Sequence, residues 1–277
     1  MSLLQSIILG IVQGLTEFLP ISSSAHLLMI PWLFGWQPVP FVFDTSLHLG
    51  TLVAILIYFR KDLINLLFSF FRVLKTRDLK NDQDGKLAVG IFIGTIPAGL
   101  LGLLFEDFIE AKFHTPYVIA TTLIVLGIIL WLADKKSKKT KTLNQIGIKE
   151  AVLIGCAQAL ALIPGTSRSG ITMTASLFAD FDRETSARFS FLLATPITLV
   201  AGLYKLKDLF GVPMTTDMKI NFIVGFIVSA VSGYLFIKYL IKFLQKNTFT
   251  GFAVYRVVIG IVLLICASHI GSQFLVK

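Results

Sequence analysis

The sequence predicts an all-α integral membrane protein: six transmembrane helices plus two re-entrant helical hairpins, arranged as an inverted repeat. Three observations predict it. Apolar residues make up 55% of the 277 residues and charged residues only 15%, against about 25% charge in a soluble domain; mean hydropathy is +0.80. Six stretches approach the roughly 20 apolar residues that a span needs. Two further apolar stretches are each interrupted by a proline that leads into hydroxyl residues, and the two resemble each other.

The first interrupted stretch covers residues 2–35 and breaks at Pro20. A proline stops or kinks a helix, and the residue before it is biased away from helix. Each side is short for a crossing, which predicts a re-entrant hairpin. A span follows over 41–59, with Asp44 and His48 one turn apart near one end. Residues 60–86 carry seven Lys/Arg against four Asp, and 62–73 within them have the pattern of an amphipathic interfacial helix. Residues 87–105 span again, 106–115 form an acidic loop with Glu106, Asp107 and Glu110, and 116–133 span. The loop 134–149 holds Lys135, Lys136, Lys138, Lys139, Lys141 and Lys149.

Residues 150–163 are apolar up to Pro164-Gly165, and 166–180 resume beyond that break, giving the second hairpin. Asp182 is placed to cap a new helix, in which Glu184 and Arg188 stand four apart. Residues 188–204, 221–243 and 252–273 complete the spans. The similarity of GIVQGLTEFLP (10–20) to GCAQALALIP (155–164), and of 89–105 to 224–236, divides one membrane domain, 1–277, into repeats of about 1–133 and 150–277. With six spans the basic loops fall on one side, which the positive-inside rule makes cytoplasmic. The first hairpin then enters from outside and the second from inside, as in inverted repeats whose broken helices meet near the bilayer midplane.

Several function classes fall away at this stage. The net charge of +9 comes from lysines clustered in loops, with no basic stripe interleaved with aromatics, so no nucleic-acid partner is expected. Cys156 and Cys266 lie far apart in apolar segments, which predicts two buried free thiols.

The chemistry sits at the two breaks. QGLTEFLPISSSAHLL (13–28) places Gln13, Glu17, Ser22, Ser23, Ser24 and His26 in an apolar background. Ionisable groups at membrane depth are expensive and mark functional sites by default. PGTSRSGIT (164–172) is its counterpart: Gly165 and Gly170 permit tight turns, while Thr166, Ser167, Ser169 and Thr172 supply hydroxyls. Arg168 supplies a planar fork that matches phosphate oxygens, and the alternative for it is a pair with a carboxylate such as Glu17. A Gly/Ser turn opening a helix makes an anion nest. Together these are parts for phosphoryl hydrolysis. Either Ser22 or Ser23 attacks with His26 as base, or His26 activates water. Glu17, with Gln13, is the candidate holder of a divalent cation, Mg²⁺ or Ca²⁺. Asp44 and His48 are expected to have supporting roles.

These motifs, with FDTSLHLGTL (43–52) and ARFSFLLATP (187–196), resemble the bacterial undecaprenyl-pyrophosphate phosphatases, also called bacitracin-resistance proteins. The resemblance covers essentially the whole chain. It implies hydrolysis of a C55 polyprenyl diphosphate to the monophosphate carrier of cell-wall synthesis, in the bacterial plasma membrane among membrane lipids, with a homodimer as a candidate assembly. It places Gln13 and Glu17 on the family's acidic/amide pair, Ser22, Ser23 and His26 on its nucleophile and base region, and Arg168 on its phosphate-binding arginine. Ser167, Ser169 and Thr172 fall on that second motif's hydroxyls. This chain departs from the family in having Gln13 where Glu is frequent and Ser24-Ala25 where Thr-Gly is common. The rival reading is a polyprenyl-phosphate flippase or transporter, because inverted repeats with broken helices are typical of transporters. An acid phosphatase with a second-motif histidine is set aside, since Thr174 stands where that histidine belongs.

Overall fold

The computed structural model describes the backbone of residues 1–79, 81–209 and 214–274; within these, the side chains at 106, 110, 206–209 and 268–274 lie outside the description. Eleven α-helices are present among the described residues: α1 Leu3–Thr16, α2 Ser23–Leu33, α3 Phe41–Tyr58, α4 Arg60–Thr76, α5 Gln83–Phe113, α6 Pro116–Lys136, α7 Ile148–Gln158, α8 Arg168–Phe178, α9 Arg183–Leu209, α10 Thr216–Leu244 and α11 Thr250–Phe274. The only strand-like pairing among them is an isolated bridge between Lys141 and Phe181. Six helices (α3, α5, α6, α9, α10 and α11) are long and apolar enough to cross a membrane. The protein is therefore a multi-pass helical membrane protein.

Local chemistry sets the helix starts. Ser2 and Gln5 form a reciprocal capping box at α1. The Asp82 carboxylate caps α5. Thr115 caps α6, whose first residue is Pro116. At α9 the Asp182 carboxylate accepts from Thr185 N at 2.6 Å, as the sequence predicts. The Glu184–Arg188 pair is present at 4.0 Å, but Arg188 makes its closer contact, 3.1 Å, with Asp62.

The predicted acidic loop at 106–115 is not a loop. Helix α5 runs on to Phe113. The charges there mark the end of the apolar stretch and not of the helix; the Glu106 and Glu110 side chains are outside the described residues. Residues 62–73, predicted as an amphipathic helix, lie in α4. It buries Leu66 and Val73 and leaves Ile64, Leu67, Phe68, Phe71 and Leu74 exposed in one stripe, the pattern of a helix lying in a membrane interface.

Close packing of the bundle rests on small residues. α1 lies on α10, and α3 packs on α10 from another side. A Cβ at Gly14 would stand 2.0 Å from Ser232 Oγ, and one at Gly50 would stand 2.4 Å from Phe226 O, so both contacts exclude any side chain. Such small-residue seams are the usual way that helices associate in lipid. α7 packs on α5, and α6 on α11. Phe18, Phe59, Phe189 and Phe191 fill the centre, with Phe18 edge-on to Phe191 at 5.4 Å.

The basic loops meet at one end. Buried Asp134 accepts from Arg183 Nε at 2.6 Å and from Phe249 N at 2.9 Å, and Lys139 Nζ donates to its main-chain carbonyl. A cleft of about 410 Å³ at this end holds Arg188 and Asp62 and none of the residues singled out at the breaks.

Candidate active site

Both breaks form as expected, with one shift of boundary. Helix α1 stops at Thr16, before Pro20, and a turn carries the chain to Ser22. There φ is 72°, in the left-handed region, and Ser22 Oγ accepts from Ala25 N to cap α2. At the second break, Ser167 has φ 67° and its Oγ accepts from Gly170 N to cap α8. The likeness extends further. Ser22 Oγ lies 3.1 Å from Ser24 Oγ, and Ser167 Oγ lies 3.1 Å from Ser169 Oγ. The register is constant from Gln13/Gln158 through Ser22/Ser167, so Ser23 and Arg168 are equivalent first residues of their helices.

These two residues meet at Glu17. Arg168 Nη2 donates to Glu17 Oε1, and Ser23 Oγ donates to Glu17 Oε2 at 2.7 Å. Gln13 Nε2 also donates to Oε2, at 3.2 Å. The carboxylate is 8% exposed, so its partners act with little screening by water. Arg168 thus takes the carboxylate partner that was its alternative in the sequence. Its other terminal nitrogen donates to Thr198 Oγ1 on α9 at 2.5 Å. Ser169 Oγ donates to Leu19 O at 3.0 Å and ties the second break directly to the first.

His48 on α3 approaches Glu17 Oε2 at 3.8 Å, and Asp44 Oδ2 stands 3.6 Å from its other ring nitrogen. Asp44, His48, Arg168, Thr198 and Lys205 line a cavity of about 110 Å³ beside the ion pair. It lies toward the start of α3, the end of the bundle away from the basic loops.

His26 is placed differently from a serine's base. Its Nδ1 lies 2.7 Å from the Ser22 main-chain carbonyl, an acceptor that requires a proton on Nδ1. Nε2 is hydrogen-bonded to Tyr255 OH at 2.8 Å, and the two rings stack at 5.7 Å. His26 makes no hydrogen bond with the hydroxyl of Ser22 or Ser23 in this structure. Thr166 and Thr172 are fully buried; Thr172 Oγ1 is hydrogen-bonded to Ser190 Oγ at 2.6 Å. Gly165 has φ 84° and sits against α6.

Three participants lay outside the sequence reading: Thr198, Tyr255 and Arg256. Arg256, on α11, is 1% exposed and donates to carbonyls of both breaks. The signal that would have found it is a lone charge inside an apolar span.

A divalent cation fits one detail of the site. Gln13 Oε1 is buried and makes no hydrogen bond, beside the Glu17 carboxylate. Among the described residues no three His, Cys, Asp or Glu side chains are placed to hold a metal ion by themselves. A cation held by Glu17 and Gln13 would therefore share its remaining ligands with phosphate oxygens, as Mg²⁺ usually does.

Comparison with known proteins gives the family. The family described as "Bacitracin resistance protein BacA" matches residues 6–262. The undecaprenyl-diphosphatase of Elusimicrobium minutum is 47% identical over 269 residues, covering 96% of this chain and 99% of that protein. That of Saccharophagus degradans is 45% identical over 263 residues, covering 94% and 96%. That of Moorella thermoacetica is 44% identical over 260 residues, covering 94% and 96%. With the match running through both polar breaks and nearly every helix, the chain belongs to the bacitracin resistance protein BacA family.

Proposed function

We infer that this protein is an undecaprenyl-diphosphatase. It hydrolyses undecaprenyl diphosphate to the monophosphate and inorganic phosphate, and so contributes to bacitracin resistance. The observation that carries this reading is the meeting of the two breaks at Glu17, in a family whose relatives bear that name. A flippase needs no carboxylate holding a serine hydroxyl beside an arginine fork.

The substrate diphosphate docks at the first turns of α2 and α8, whose leading N–H groups have no acceptor within their own helices. Arg168 keeps donors beyond those given to Glu17 and Thr198, and these meet phosphate oxygens. Ser23 is the favoured nucleophile. Its hydroxyl is half-buried and already donates to Glu17 Oε2, which accepts the proton as Oγ bonds to the terminal phosphorus. The anhydride P–O bond breaks, the lipid monophosphate leaves, and water then frees the phosphate from Oγ. Ser22 Oγ instead caps α2. His26 stands at the other side of Ser22 with its Nε2 paired to Tyr255 OH. A Mg²⁺ or Ca²⁺ ion at Glu17 and Gln13 would neutralise developing charge on the phosphate oxygens.

The finer architecture belongs to the same proposal. We read α1–α2 and α7–α8 as re-entrant hairpins of an inverted repeat. Their matched caps support this, as does the crossed packing in which α1 lies on α10 while α7 lies on α5. With the basic loops cytoplasmic in a bacterial plasma membrane, the cavity faces outward, and the polyprenyl tail leaves sideways between helices into lipid. Phosphate release from undecaprenyl diphosphate by the purified chain, with and without chelator, tests the activity. Absence of release by folded protein overturns it.

A further inference from the structure

We propose that Arg256 is a positioning residue for catalysis, joining the two breaks into one site through their main-chain carbonyls. The proposal rests on the reading of those breaks as the diphosphate site.

Arg256 lies in the span α11 and is fully buried, where an unpaired charge is costly. All five of its hydrogen bonds go to carbonyl oxygens. Nη1 donates to Pro20 O at 3.2 Å in the first break. Nη2 donates to Gly165 O at 3.3 Å and Thr166 O at 2.9 Å in the second, and to Thr122 O at 3.3 Å on α6. Nε donates to Leu123 O at 3.4 Å. Pro20 and Gly165 are equivalent positions of the two breaks in the constant register, each two residues before the capping serine with positive φ. One guanidinium therefore holds the matching peptide groups of both breaks. A peptide unit is planar, so fixing its carbonyl fixes the plane from which the next residue departs. Those planes set where Ser22 and Ser167 turn into α2 and α8, and hence where Ser23 and Arg168 stand at Glu17.

The guanidinium's fork suits this task and an ammonium does not. Three donor nitrogens in one plane reach acceptors on three separate segments at once. Gly170 leaves the room: a Cβ there would meet Arg256 Nη1 at 2.6 Å.

The test uses the full-length chain in detergent, with undecaprenyl diphosphate as substrate. Arg256→Ala is expected to lose kcat on the order of 100-fold, the penalty of misplacing reacting groups by about 1 Å, with KM changed only a few-fold. Added methylguanidinium is expected to restore part of that rate, and Arg256→Lys to restore less. If Arg256→Ala does not yield folded protein, Gly170→Ala decides. It keeps the charge and displaces the fork, and kcat is expected to fall while the thermal midpoint holds. Wild-type kcat in folded Arg256→Ala or in Gly170→Ala overturns the proposal. So does a loss of activity that follows the thermal midpoint and does not respond to methylguanidinium. Full activity in Arg168→Ala and Glu17→Gln would instead overturn the site reading itself, whatever Arg256 does.

Discussion

Glu17 accepts hydrogen bonds from three side chains, and its two oxygens face different chemistry: Oε1 the Arg168 cation, Oε2 the Ser23 hydroxyl. Glu17→Gln keeps the shape and removes both the charge and the base. Turnover is expected to fall by about 10²–10⁴-fold, the usual worth of a positioned acid or base, in a protein that still purifies folded. Arg168→Lys is expected to be nearly as inactive as Arg168→Ala, because an ammonium cannot serve Glu17, Thr198 and a phosphate from one plane; a lysine variant within a few-fold of wild type would show that charge alone suffices. The two serines are expected to separate by readout. Ser23→Ala loses turnover, whereas Ser22→Ala removes a cap and lowers stability by about 1 kcal/mol, seen as a lower thermal midpoint. The pairing of Glu17 with Arg168 was legible in the sequence as an alternative, because charges of opposite sign at membrane depth need partners. Thr198 was not, since a threonine bonded to its own helix carbonyl, here Ala194 O at 2.7 Å, is commonplace in a span. Tyr255 meets His26 across 229 residues, and no local pattern announces such a partner.

Among elements, the breaks were legible and their edges were not. Proline and hydroxyl residues announced both interruptions, but α1 gives up its helix at Thr16, three residues before the pre-proline Leu19. Glu17 still has helical dihedrals and stays on the face of Gln13, donating its N–H to Gln13 O at 3.0 Å, so the helix unwinds just beyond the residue that Arg168 and Ser23 meet. The error at α5 runs the other way. Its acidic end at 106–113 signals the exit from apolar surroundings, and helices continue past that point into water. The second break depends on Gly165, where φ is 84° and a Cβ would stand 2.2 Å from Thr122 Oγ1 and 2.7 Å from Ile119 O. Gly165→Ala is therefore expected to cost about 1–3 kcal/mol, read as a lower thermal midpoint, and to displace the start of α8 and with it Arg168.

At the scale of the whole molecule, the basic loops gather at one end and the cavity lies toward the other. In a background with Cys156 and Cys266 replaced by serine, a cysteine at Asn144 is expected to react with a membrane-impermeant maleimide only after the cells are broken. A cysteine at Gly35 is expected to react in intact cells; the opposite pattern would invert the orientation. The inward location of Asp134, holding Arg183 and Phe249 together, makes Asp134→Asn a stability variant whose kcat per folded molecule stays near wild type. The ion pair between the two halves has a further consequence for turnover. Glu17 already takes part of the Arg168 guanidinium before any lipid arrives, so an entering anion meets a cation half neutralised by a tethered carboxylate. That fixed negative charge weakens the hold of the remaining N–H groups on any anion, spent headgroups included, and Glu17→Gln is expected to bind inorganic phosphate more tightly than the wild type while failing to turn over.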